Sequence, residues 1–170
     1  MSSGPAAAAA AAVVVSSGPV VVAPSSDVTP AQQELVLTEI NTFRALHGAE
    51  PLTVDPALSA DAQAYADKCV YDYQPQLPYG QALGASDGTL VDAVLRWESE
   101  AVGYDYTNED FDPKAGEFTQ LVWKASKRIG MGAASCQSED FGAYTLLYVV
   151  FDPPGNFLGE FVENVGRPLS

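Results

Sequence analysis

Hydrophobic positions begin to recur at helical spacing near residue 30. Val36, Ile40, Phe43 and His47 fall on one stripe, between a Thr29-Pro30 start and a Gly48 stop. Thr29 and Gln32 form a capping box, with Pro30 at the first helical position, where a backbone N–H would have no partner anyway. Asp55-Pro56 opens a second helix in the same way, with Leu58, Ala62, Tyr65 and Cys69 facing inward. A third helix is predicted from Thr89 to about Val102 on the stripe Leu90, Val94, Trp97 and Ala101, closed by Gly103. Gly116 to Trp123 is a short amphipathic segment that sets Phe118, Leu121, Val122 and Trp123 at helical spacing. Beyond Lys127-Arg128 the period changes. Ile129, Met131 and Ala133 alternate with small residues, and residues 143–151 are rich in β-branched and aromatic types, so both stretches read as strands. Asp152 to Asn156 is a turn cluster, followed by an extended or irregular segment from Phe157 to Val165. Three to four helices with late strands predict an α+β domain, with helices layered on a small antiparallel sheet.

Residues 1–28 lie outside this pattern. Ala6 to Val15 and Val20 to Pro24 are apolar low-complexity blocks without amphipathic periodicity, so the fold is assigned to residues 29–170. The first block has the length of a secretory signal core, yet it lacks a basic flank and a clear Ala-x-Ala cleavage site. A chain of 170 residues is enough for one domain, and no apolar run approaches the roughly 20 residues needed to span a bilayer. The formal net charge of −14 disfavours nucleic acid and anionic membrane surfaces as partners, and names no substrate. The two cysteines, Cys69 and Cys136, fit one disulfide or two buried thiols equally well.

The segment Gly116-Glu117-Phe118-Thr119-Gln120-Leu121-Val122-Trp123 resembles the Gly-His-Phe/Tyr-Thr-Gln-x-x-Trp signature of the CAP superfamily, the secreted domain of group 1 pathogenesis-related proteins, antigen 5 and cysteine-rich secretory proteins. Further matches occur in family order. Asn41, Arg44, His47 and Gly48 resemble its first helix, and Tyr79 to Leu83 is similar to its Tyr-Gly-Glu-Asn-Leu. Val149 to Asn156 resembles its Cys-Asn-Tyr-x-Pro-x-Gly-Asn. The resemblance implies an α-β-α sandwich and secretion to the extracellular space. It also implies a disulfide between Cys69 and Cys136, while a second family bridge is replaced by the apolar pair Met131 and Val149.

The family's central cavity carries two histidines and two glutamates, which in some members hold a divalent metal. The matching positions here are Tyr73 (or a neighbour), Gln81, Glu100 and Glu117, so only one glutamate is kept. A zinc site needs three or four suitable ligands, and this set does not supply them. The resemblance therefore implies no metal, no cofactor and no catalytic residue. The sole histidine, His47, lies on an apolar stripe and reads as a hydrogen-bonded core residue. Relatives of this type carry sterols or fatty acids, and the loop from Val70 to Tyr79 offers Tyr71, Tyr73, Leu77 and Tyr79 as an apolar lid with polar tips. The expected function is binding of a sterol, a fatty acid, or a host or cell-wall protein, in defence or virulence. The competing classes are a metal-dependent hydrolase and a protein-interaction module.

Overall fold

The computed structural model describes residues 28–169, so the expectation for the apolar leader falls, up to residue 27, outside the described residues. Helix α1 spans Pro30–Leu46 and starts on the predicted capping box: Thr29 Oγ1 accepts from Gln32 N–H, and Gln32 Oε1 accepts from Thr29 N–H. Gly48, at φ +75°, ends it in the left-handed region that glycine tolerates. Helix α2, Pro56–Ala66, is capped by Asp55. Helix α3 covers Leu90–Ser99 behind a second capping box, Thr89 with Asp92, and is shorter than its apolar stripe suggested. Residues 100–103 turn away instead, which frees Glu100 for another contact.

The sheet is mixed. Strands β1 (Thr53–Val54), β2 (Gly80–Ser86), β3 (Arg128–Ser138) and β4 (Gly142–Asp152) lie in the order β1-β3-β4-β2. The β3–β4 hairpin runs in register from Arg128 opposite Asp152 to Ser138 opposite Gly142. Strand β2 adds antiparallel to β4, and β1 adds parallel to β3. Two short helices complete the domain: α4 (Gly116–Leu121), and α5 (Phe161–Asn164) within the segment expected to be irregular. Helix α5 forms because Phe161 is buried against Trp123, while Asn164 binds the Glu160 carbonyl and the Ala125 N–H.

Both faces of the sheet are covered, which explains why residues 146–151 are buried without alternation. Leu147, Val149 and Phe151 face a large core with α1, α3 and α4. Leu146, Tyr148 and Val150 face a smaller core with Leu58, Ala62 and Ala66 of α2. Helix α2 packs directly on β3 at Gly130 and Gly132, where a Cβ would overlap the backbone of residues 58 and 59 and of 62 and 63. Met131 and Val149 are direct cross-strand partners in the large core. Cys69 and Cys136 form a disulfide with Cα atoms 5.7 Å apart, tying the turn that follows α2 to β3.

Candidate functional site

Arg44 organises the region around α4. Its side chain is fully buried and donates to four carbonyls: Glu50 at 2.8 Å, Leu121 at 2.8 Å, Trp123 at 3.0 Å and Ser126 at 3.3 Å. The Leu121 and Trp123 carbonyls lie at the C-terminal end of α4, where helix carbonyls lack internal partners and favour a cation. Burial pushes the guanidinium down to about 10, so it remains charged at neutral pH. On the opposite side, Thr119 Oγ1 donates to Asn156 Oδ1 at 2.6 Å, and Asn156 Nδ2 donates to the Gly116 carbonyl at 3.0 Å. Gln120 Oε1 accepts from Gly155 N–H at 2.8 Å. The Thr-Gln pair thus fastens α4 to the turn after β4, and the two signature stretches are one packed unit.

The N-terminus of α4 has no side-chain cap from Ala115. Glu100 takes that place, its Oε1 accepting from Phe118 N–H at 3.0 Å. Burial raises the Glu100 carboxyl above its usual range, opposed by N–H groups of Phe118 and Glu117 that favour the charge. Burial likewise raises Glu117, against its own N–H and that of Leu83. The Tyr73 hydroxyl donates to Glu117 Oε2. Leu83 belongs to β2, an edge strand, and its carbonyl accepts from the Trp97 indole at 3.1 Å. Trp97 thus occupies the Leu83 carbonyl that the edge strand turns outward at its centre.

Three of the four expected cavity positions come together. Tyr73, Glu100 and Glu117 line a cleft of about 410 Å³ with Tyr71, Trp97 and Arg96. Gln81 is turned away. Its Oε1 accepts from Gln74 N–H at 2.8 Å and from the Tyr148 hydroxyl at 2.7 Å, while its Nε2 donates to the Gln74 carbonyl at 2.9 Å. A glutamate at 81 has no N–H to make the last of these bonds, so the amide specifically anchors the loop. The loop's four aromatic and aliphatic candidates divide. Tyr71 and Tyr73 stand exposed at the cleft, whereas Leu77 and Tyr79 pack on the small core beside α2.

The donors at the cleft do not fit the family's metal. The carboxylates already serve backbone N–H groups, the Tyr73 hydroxyl is bound to Glu117, and the Gln81 amide faces elsewhere. Among the described residues, no three His, Cys, Asp or Glu side chains gather as a metal-binding group. His47 is a core residue: Nδ1 lies 2.8 Å from the Gly166 carbonyl, and the ring contacts Phe43 and Phe118. Burial lowers its pKa, which favours the neutral form. Sequence reasoning missed Arg44, Arg96 and Trp97 as parts of the site. A charged residue four positions after Ile40, on an otherwise apolar stripe, was the available signal for Arg44.

A second hollow, of about 300 Å³, lies between the N-terminal halves of α1 and α3. Leu35, Val36, Leu90 and Val91 form its apolar walls, and Gln32, Thr89 and Thr145 contribute to its uncharged polar part. Leu35 is 62% exposed at this groove.

Comparison with known proteins agrees with this construction. Residues 37–152 match the cysteine-rich secretory protein family, CAP. PRY2 of Saccharomyces cerevisiae is 40% identical over 141 residues, which cover 79% of this chain and 41% of the yeast protein. Pathogenesis-related protein 1A1 of Solanum lycopersicum is 33% identical over 133 residues, 74% of each chain. The crystal structure of MpPR-1i superimposes with a TM-score of 0.62 at 22% identity, covering 76% of this chain and 93% of that one, a likeness of fold alone. The extent of the family match and the identity to the tomato protein place this chain in the CAP family.

Proposed function

We propose that this chain is an exported, non-catalytic CAP protein that binds a small hydrophobic molecule, a fatty acid or a sterol, in the groove between α1 and α3. The observation that carries the reading is the groove's apolar wall of Leu35, Val36, Leu90 and Val91 with uncharged polar neighbours. Ligand sites are commonly concave and mostly apolar with a few polar groups, and about 300 Å³ is the lower end of their usual range. We assign the ligand to this groove rather than to a lid formed by the tyrosine loop, because that loop's side chains divide between two faces of the domain. The Cys69–Cys136 disulfide supports export to an oxidising compartment. The absence of catalysis rests on the carboxylates' structural duties and on a histidine sequestered in the core.

The test is equilibrium binding of a fluorescent polyene fatty acid, with oleate and ergosterol as competitors. The native protein should bind the probe saturably, and at least one competitor should displace it. Leu35→Glu places a charge at an exposed helical position on the groove wall, so it should weaken probe binding about tenfold with little change in melting temperature. Unchanged affinity in Leu35→Glu would remove the ligand from this groove.

A further inference from the structure

Beyond that apolar groove, the hollow at Glu100 and Glu117 does not end where the expected cavity positions end. It shares Ala85 and Arg96 with a second hollow, which runs to Phe141 at the tip of the β3–β4 hairpin. That hollow shares Ser86, Asp87, Ala143 and Tyr144 with a third, along the Cys136 side of the hairpin. The three hollows therefore adjoin, running from the centre of the free edge of β2, past its end at Ser86, onto the β3–β4 hairpin. Aromatic rings are spaced along this furrow. Tyr73 is 47% exposed, Tyr71 56% and Phe141 80%, and Tyr144 lies between, its ring 6.5 Å from that of Tyr71. Planar polar groups lie among them: Arg96 lines both the first and the second hollow, and Asp87 both the second and the third.

We propose that this furrow binds a neutral oligosaccharide in extended form. Sugar rings present apolar C–H faces that lie against aromatic side chains, and pairs of neighbouring hydroxyls that match a carboxylate or guanidinium fork. Exposed rings interspersed with such forks along an open channel suit that chemistry. An added peptide strand is disfavoured at the centre of the edge, because the Leu83 carbonyl is taken by the Trp97 indole. Anionic glycans are disfavoured by the net charge of −14. The length of the furrow, three hollows joined by shared walls, calls for several sugar units rather than one.

The test is calorimetric titration of the full chain with laminarihexaose, cellohexaose and chitohexaose separately, and with methyl β-glucoside as the single-unit control. At least one hexasaccharide should bind with submillimolar affinity, and the monosaccharide far more weakly. Tyr71→Ala and Phe141→Ala change exposed rings, and each should weaken that binding about tenfold. Leu35→Glu should leave it unchanged, which separates this site from the fatty-acid groove. The proposal is overturned if no hexasaccharide binds at millimolar concentration, if both ring variants keep native affinity, or if Leu35→Glu abolishes binding. The first two of those results do not bear on fatty-acid binding.

Discussion

Arg44 and Gln81 show how single polar side chains hold the site region in place. Arg44 donates to the carbonyls of residues 50, 121, 123 and 126, the last three of these bonds buried, so Arg44→Met keeps the apolar stem but strands several acceptors. It should destabilise the domain by at least about 3 kcal/mol in urea unfolding. A loss below about 1 kcal/mol would mean that the four carbonyls find other partners. Gln81→Glu should leave global stability nearly unchanged but speed amide exchange across residues 71–79, because the donor to the Gln74 carbonyl is lost. Unaltered exchange there would show that the loop is held by other contacts. Neither role was visible in the sequence, where Gln81 stood only as a departure from a family glutamate. A side chain's partners across the fold are set by tertiary approach, which spacing along the chain does not reveal.

Among the elements, those with local signals were the legible ones. The capping boxes at Thr29 and Thr89, and the Asp55-Pro56 start, mark helix beginnings through contacts within three residues, so the sequence displays them in full. Strand β2 was not read as a strand. Residues 80–86 contain two glycines and no β-branched residue, and they are extended because β4 pairs with them. The parallel β1 is two residues long, too short for any periodicity. Two interactions between elements yield measurable expectations. The disulfide closes a 67-residue separation, so the double variant Cys69→Ser/Cys136→Ser should lose about 4 kcal/mol in the chain-entropy account. A thermal midpoint unchanged from the native protein would refute that role. Where α1 meets α3, burial and the neighbouring Glu39 push Glu98 up to about 8, and Glu98 Oε2 is buried without a hydrogen-bond partner. Folding therefore favours the protonated acid. That contribution is fully present below about pH 4.5 and is lost as pH rises through about 8. Urea unfolding at pH 5 and pH 8.5 should show Glu98→Gln losing less stability over this interval than the native protein. Equal slopes would contradict the assignment.

The whole molecule is a CAP sandwich held together at its two signature stretches. Thr119, Gln120, Trp123, Gly155 and Asn156 make the contacts that join the two signature stretches, and these contacts explain why the family resemblance remained readable. Tyr73, Glu100 and Glu117 line one cleft, where Glu100 caps α4 and Tyr73 donates to Glu117. The groove between α1 and α3 was not legible in advance. It depends on how residues of α1, α3 and β4 approach one another across the fold, and each stripe alone only indicates burial. Native mass spectrometry of the protein purified from a lipid-containing medium tests the central claim most directly. The account predicts a bound fatty acid or sterol on the native protein, lost in Leu35→Glu, with no stoichiometric metal. A tightly held divalent metal, or a native protein that carries no lipid after exposure to it, would contradict the account.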